Sequence, residues 1–360
     1  PLSHIMLVLM GEGFVMDADG KRAPTGPVLE RAGLKPISLQ AKEGLALING
    51  TSVMTGVLGL AVQRGIDVAR AADVIAALSL EVLKGSTSPY NPDFIALRPY
   101  NGLKQTAANV LACVAGSKVR ESHVNCTKVQ DAYSLRCVPQ VHGATRETLN
   151  HLASQVTIEL NSVTDNPILL SADTVISGGH FHGQPMALAA DFFGIAIAEL
   201  ANISERRVDR LVNPLVSGLP PFLAGDAGVN SGLMIVQYTA ASIVSENKVL
   251  AHPASVDSIP TSAYQEDHVS MGTVAARKGA RILSNTAQVL AIEWLCACQA
   301  YEFLKPLALG TGTAAAYELL RTAIPPLKED RFQAPDLEMA RELLWKGDLV
   351  THVAKSVQLV

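Results

Sequence analysis

Apolar residues recur at spacings of three and four through much of the chain, the mark of one face of an α-helix. From Ala144 to Val163 that face is carried by Leu149, Leu152, Val156 and Leu160. From Met186 to Val212 the pattern is more apolar, and Glu199, Glu205, Arg206 and Arg207 arrive late. From Gly232 to Leu250 apolar residues lie on nearly every face until Glu246-Asn247-Lys248, which predicts a helix buried among other helices. A fourth pattern runs roughly from Thr273 to Phe303 and ends near Lys305-Pro306. A last amphipathic stretch spans Leu337–Trp345. Upstream, Ile37–Gly85 reads as helices broken at Asn49-Gly50, and the Gly, Ser and Pro of Gly85–Pro92 read as a loop. Phe14–Pro24 reads as a short hairpin turning at Asp19-Gly20. There is no fixed-period repeat and no low-complexity linker. The pattern predicts a mainly α fold: one large bundle of long, mostly antiparallel helices. It forms a single domain over residues 1–360, with a short hairpin region at about 14–38.

Composition narrows this picture. Hydrophobic residues make up 48% of the chain but aromatics only 5%, so the core is built from Ala, Leu, Val and Ile. A formal net charge of -4 without a dense Lys/Arg run gives no reason to expect a nucleic-acid partner. No unbroken apolar run reaches the roughly 18–20 residues of a membrane span, and Ile5–Met10 lacks the leader and cleavage site of a signal peptide. Five cysteines (Cys113, Cys126, Cys137, Cys296, Cys298) is an odd number, and Cys296-Ala297-Cys298 lacks the gap of a metal knuckle. The expectation is reduced thiols in a cytoplasmic protein.

The chemistry is concentrated between the helices. Tyr133 and Arg136 stand three apart and share a face on a helical turn, beside Gln130 and Asp131. A phenol that moves a proton and a guanidinium fork for a carboxylate suit an acid substrate. The same residues also suit an ordinary helix start with a capping Asp131 and a surface Arg136. His180 and His182 flank Phe181, but no third ligand follows at a recognisable spacing, and His268 lacks the frame of a zinc motif. No metal is expected. Asp267, ahead of a predicted helix, has a place in its first turn. Glu266 beside it is a carboxylate free for a cationic or imidazole-bearing ligand if it faces a cavity. Asn49 fits a helix end, and its amide also suits a carbonyl or carboxylate. Gly11-Glu12-Gly13 and Gly178-Gly179 lack phosphate-loop spacing, and no Gly-x-Ser-x-Gly elbow occurs.

Taken together the junctions resemble the aromatic amino acid ammonia-lyase family, and within it most of all the histidine ammonia-lyases. The resemblance runs from Pro1 to about Asp348. It is carried by PLSHIMLVLMGEG, KEGLALINGT, VQDAYSLRCVPQVHGA, ELNSVTDNP, SGGHFHGQP, NISERRVDRLVNP, LPPFL, SENKVLAHPASVDSIPTSAYQEDHVSMG and AIEWL. It implies elimination of ammonia from L-histidine to give trans-urocanate, in a cytoplasmic homotetramer of packed helices. It also implies a methylidene-imidazolone (MIO) electrophile formed from an internal Ala-Ser-Gly, with no metal and no dissociable coenzyme. By this resemblance Asn49 positions the substrate and the electrophile, and Gln130 is a second polar residue close to the prosthetic group. Tyr133 supports elimination, Arg136 clamps the substrate carboxylate, Phe181 packs beside the prosthetic group, and Glu266 faces the imidazole and the reacting amine.

Two positions depart from the family text. His180 stands where Ser-Gly-Gly-Asn-Phe-His has Asn, and Tyr264 stands where Ser-Ala-Asn-Gln-Glu-Asp-His has Asn. Ala-Ser-Gly does not occur in the 360 residues. In the family it lies a few residues before text like Pro1–His4, so Pro1–Gly13 resembles the helix that runs away from the prosthetic group. The chain then reads as the C-terminal portion of such an enzyme, inactive alone and active with an N-terminal portion as companion. Two other readings are a catalytically silent truncated homologue acting as an oligomeric scaffold, and a phenylalanine or tyrosine ammonia-lyase or aminomutase.

Overall fold

The computed structural model describes residues 2–124 and 129–360. Long helices dominate, as the apolar periodicity predicts. Those of twelve residues or more are α1 (Ser52–Val82), α2 (Asn101–Cys113), α3 (Val138–Leu160), α4 (Gln184–Val212), α5 (Met234–Leu250), α6 (Gly272–Glu302), α7 (Thr311–Ala323) and α8 (Ala334–Trp345). The centre is α1, α4 and α6; α3 covers α1 and α4, α2 lies on α3, and α5 and α8 flank α6.

Small side chains let these helices approach closely. Ala275, Ala276, Ala287 and Ala291 of α6 are buried with Leu283 and Leu290. A methyl on Gly279 would come within 3.0 Å of Phe193 and one on Gly194 within 3.1 Å of Ile282, so the α4–α6 crossing depends on both glycines. Two buried charged clusters tie the bundle together. Glu293 of α6 accepts Arg207 Nε and Nη2 of α4 at 2.5 and 2.8 Å, and the hydroxyls of Ser79 and Ser204 at 2.6 Å each. Asp73 of α1 meets His142 Nδ1 at 2.8 Å, Arg146 Nη2 at 2.5 Å and Asn109 Nδ2 at 2.9 Å.

The predicted hairpin is present: β1 (Phe14–Met16) pairs antiparallel with β2 (Arg22–Pro24), with Val15 opposite Ala23. Asp17 closes its turn by accepting the amides of Asp19 and Lys21, and Gly20 takes φ +72°. A second hairpin, β3 (Ile168–Ser171) with β4 (Thr174–Ile176), was not foreseen. Its strands are too short and too exposed for an alternating pattern to show. Pro1–Gly13, read as a helix, is a helical turn Leu2–Met6 followed by a 3-10 turn Leu7–Met10 that Gly11 ends at φ +77°.

Other differences have physical causes. The α3 helix begins at Val138, six residues before the periodic pattern, because buried His142 and Arg146 interrupt its apolar face. The sequence reading passed over α2 and α7, whose inward faces use Thr, Gly and Ala more than large apolar residues. Burial of α5 on every face is not observed. Only Val236, Ala240 and Asn247 are buried, while Ile235 and Tyr238 are 62% and 66% exposed. One chain covers only one side of this helix. Two helical stretches, Glu43–Val82 and Gln184–Val212, are long and apolar enough to cross a membrane, with mean hydropathy 1.7 and 1.6. That corrects the expectation drawn from unbroken runs: a helix tolerates scattered charges that break a run. The apolar window of Gln184–Val212 is 67% buried in the bundle.

Candidate active site

Tyr133 and Arg136 bracket a one-turn helix, Tyr133–Arg136, that runs into α3. The shared face predicted from their spacing is present: the Arg136 guanidinium carbon lies 4.6 Å from the Tyr133 ring centroid. Tyr133 is 71% exposed, and Arg136 Nε is buried without a hydrogen-bond acceptor among the described residues. Gln130 and Tyr133 line a cleft of about 380 Å³ with Asp131, Leu135 and Arg210. Asp131 does not cap the helix. Ala132 holds that position, and the Asp131 carboxylate accepts the Ser86 amide of the neighbouring loop at 2.7 Å.

Asn49 ends the short helix Glu43–Ile48, as expected. Gly50 follows at φ +102°, and a methyl there would lie 2.0 Å from the Thr164 carbonyl oxygen. That close approach sets Asn49 against the Thr164–Pro167 segment. Its amide donates to Asp165 Oδ1 at 3.2 Å, while Lys42 Nζ pairs with Asp165 Oδ2 at 2.5 Å. The Lys42 bond and the Asn166 amide hold the Asp165 carboxyl below the usual carboxylate range. An ionised Asp165 accepts only, so it fixes which end of the Asn49 amide turns away.

Phe181 sits in a turn just before α4, closed by the His182 amide on the Gly179 carbonyl at 2.9 Å. This turn is not a strand, so strand alternation does not set His180 and His182 on one face. Glu266 lies in the loop ahead of α6. Thr261 Oγ1 donates to Glu266 Oε2 at 2.6 Å, and the two residues also pair through their backbones. Between them Ser262, Ala263 and Tyr264 take φ of 50°, 54° and 67°, three left-handed non-glycine residues in a row. Such backbone costs about 1–2 kcal/mol per residue, and strain of this kind collects at functional sites. The helix starts only at Gly272, so Asp267 is not in its first turn. His182 and His268 stack with ring centroids 5.4 Å apart, and His182 Nε2 lies 3.1 Å from the His268 carbonyl oxygen. This contact joins the Phe181 turn to the Glu266 loop.

The candidate residues therefore form three clusters at helix ends. The Tyr133 cleft is lined by neither Asn49, Phe181 nor Glu266. Sequence reading missed Lys42, Asp165 and Thr261. All three lie in the segments KEGLALINGT, ELNSVTDNP and SENKVLAHPASVDSIPTSAYQEDHVSMG, but no local pattern signals that Lys42 meets Asp165, 123 positions on, or that Thr261 folds back onto Glu266. Among the described residues no group of three or more His, Cys, Asp or Glu gathers to hold a metal. Cys113, Cys137, Cys296 and Cys298 are free, and burial pushes the Cys113 and Cys298 thiols up to about 12. Cys126 lies outside the described residues.

Comparison with known proteins gives the family. The histidine ammonia-lyase of Alkaliphilus oremlandii is 49% identical over all 360 residues, which span 71% of its length. That of Caenorhabditis elegans is 51% identical over 96% of this chain and 52% of its own. Among solved structures, Trypanosoma cruzi histidine ammonia-lyase superposes with a TM-score of 0.91 at 44% identity, over 99% of this chain and 69% of that one. Tyrosine aminomutase from Streptomyces globisporus gives 0.93 at 39% identity, over 100% of this chain and 72% of that one. Residues 1–322 match the family described as aromatic amino acid lyase, and with the clusters at the helix ends falling in that match, the chain belongs to this family.

Proposed function

We propose that the protein eliminates ammonia from L-histidine to give trans-urocanate. The observation that carries this reading is the identity of about one half to histidine ammonia-lyases along the whole chain. The reaction breaks the Cα–N bond and one Cβ–H bond and forms the Cα=Cβ double bond. Arg136 offers a carboxylate a fork whose Nε has no acceptor among the described residues. The exposed Tyr133 phenol beside it is placed to hold or move a proton. Glu266 keeps one oxygen on Thr261 and turns the other to the imidazole N–H or the ammonium of the substrate. Phe181 gives the ring an apolar wall.

An imidazolone carbonyl asks for neutral hydrogen-bond donors, and Asn49, Gln130 and Tyr133 are such donors. Asn49, with its amide fixed by Asp165, and Gln130 would hold the MIO group. When bound, that group supplies the electrophilic carbon that makes the amine a better leaving group. Since Ala-Ser-Gly is absent from these residues, turnover requires chain that carries it. The reading includes a cytoplasmic homotetramer, in which subunit packing brings to one substrate the three clusters that a single chain keeps apart. The exposed apolar side of α5, with Ile235 and Tyr238, supports burial between subunits, and light scattering of the purified protein checks the fourfold mass.

The test is urocanate absorbance with L-histidine, using protein that joins these residues to the Ala-Ser-Gly segment. Absence of urocanate from a folded, MIO-bearing protein would sink the histidine reading. A second reading, an aminomutase or lyase acting on tyrosine or phenylalanine, is favoured by the aminomutase superpositions alone. Turnover of those substrates in the same assay would replace the first reading with it.

A further inference from the structure

The turn that carries Tyr133 and Arg136 has only four residues, too few to be stable alone. Its amides are satisfied locally: Leu135 and Arg136 bond the Ala132 carbonyl at 3.0 Å each, and Cys137 bonds Tyr133 at 2.8 Å. Its middle carbonyls receive donors from the bundle interior. Tyr90 Oη donates to the Leu135 carbonyl at 2.5 Å, and Arg207 Nη1 to the Ser134 carbonyl at 3.3 Å. Tyr90, Arg207 and Glu293 are all fully buried. Burial pushes the Tyr90 phenol well above its ordinary range, so it remains a donor. Glu293 takes Arg207 in a two-pronged grip and leaves Nη1 directed at the turn. A buried ion pair is a weak source of stability compared with apolar packing. Here it aims a rigid, charged donor at the backbone that carries the exposed Tyr133 and the half-buried Arg136.

We propose that Tyr90 and the Arg207–Glu293 pair are positioning residues that lock the Tyr133–Arg136 turn from the bundle interior, so that Tyr133 on the cleft and Arg136 stacked against it are held as one unit. This rests on the reading of Arg136 as the carboxylate clamp. Tyr90→Phe is the clean probe, since it removes one hydroxyl and keeps the ring. Ser79→Ala is the control: it removes a hydrogen bond to the same Glu293 from the α1 side and touches neither carbonyl.

Two measurements on the 360-residue chain decide the matter: amide hydrogen exchange, and calorimetric binding of trans-urocanate as a carboxylate probe. Tyr90→Phe is expected to speed exchange of the amides at 135–137 at least tenfold relative to α6, and to weaken urocanate binding about tenfold. Ser79→Ala is expected to do neither, even where it lowers the melting temperature. Unchanged exchange at 135–137 in Tyr90→Phe would overturn the proposal. So would equal acceleration across α1, α4 and α6, because the hydroxyl would then serve the bundle as a whole. Arg136→Gln separates the two levels. Wild-type urocanate binding in that variant defeats the clamp reading, while the exchange result still judges the turn.

Discussion

Arg207 and Arg136 meet at one turn, the first donating to its backbone from the bundle interior and the second forming its last residue. Arg207 lies beneath it with 0% of its side chain exposed, and its donors go to Glu293 and to a backbone carbonyl. Arg136 ends it, half-buried and stacked on an exposed tyrosine, with its Nε lacking an acceptor among the described residues. The interior arginine is satisfied by the fold, and the rim arginine keeps a donor that no described residue takes. The same division holds for carboxylates. Among the described residues Glu293 has four hydrogen bonds inside the bundle, whereas Glu266 at the rim has one side-chain partner, Thr261. Polar groups of the interior are spent on the fold, whereas Arg136 and Glu266 at the rim have fewer partners among the described residues.

The strongest way to break this comparison is to unpair the interior. Glu293→Ala leaves Arg207 charged and buried without a counterion, which costs about 3–5 kcal/mol. Urea unfolding should show that loss as a lower midpoint, and a loss under about 1 kcal/mol would mean that water or another acceptor reaches Arg207. The rim should respond in the opposite sense. Arg136→Ala is expected to lower turnover of L-histidine at least a hundredfold, about 2.7 kcal/mol, in protein carrying the MIO segment. Its helical circular dichroism and unfolding midpoint should stay at wild-type values. Activity within threefold of wild type would remove Arg136 from the carboxylate role.

The two regions also differ in how far the sequence reveals them. The long helices α4 and α6 were legible to within a few residues because large apolar side chains repeat along their buried faces. The start of α3 was not, since its interior is polar: His142 and Arg146 point at Asp73, and no periodicity registers a buried ion pair. At the rim, the spacing of Tyr133 and Arg136 was enough to predict a shared face. The contacts of Asn49 with Asp165 and of His182 with His268 join residues 116 and 86 positions apart, and a local pattern carries no information about such pairs. The left-handed run Ser262–Tyr264 was equally hidden, because serine, alanine and tyrosine are not the residues that normally announce positive φ.

Within the interior, two buried carboxylates sharpen the contrast through pH. Burial raises Asp73, but the Arg146 guanidinium and the His142 hydrogen bond outweigh it and hold the group below its ordinary range. Its contribution to stability is therefore full above the ordinary aspartate value of about 3.9 and is lost as pH falls through the lower folded value. Glu81 is the reverse. Burial raises it, and its hydrogen bonds from Ser117, Thr313 and the Gly310 amide do not compensate. The folded state then holds the proton more tightly than the unfolded chain. Stability falls as pH climbs from the ordinary glutamate value, about 4.3, through the raised one. Glu81→Gln should grow more stable relative to wild type across that window, in urea melts at stepped pH. A constant difference between the two proteins would show that Glu81 ionises freely in the fold.

The smallest expected effect tests whether the rim is organised by structure at all. Lys42 and Asp165 form an ion pair with 30% and 18% of their side chains exposed, so solvent screens it and its loss should cost under about 1 kcal/mol. Asp165 is also the acceptor that orients the Asn49 amide. Lys42→Met keeps the length of the side chain and removes the charge, freeing the Asp165 carboxylate to swing. If Asn49 acts on the substrate or its electrophile, KM or kcat should worsen about two- to fivefold while the melting temperature barely moves. Equal changes in stability and activity would make the Lys42–Asp165–Asn49 chain an ordinary surface contact, and Asn49 would then owe its place to the helix end alone.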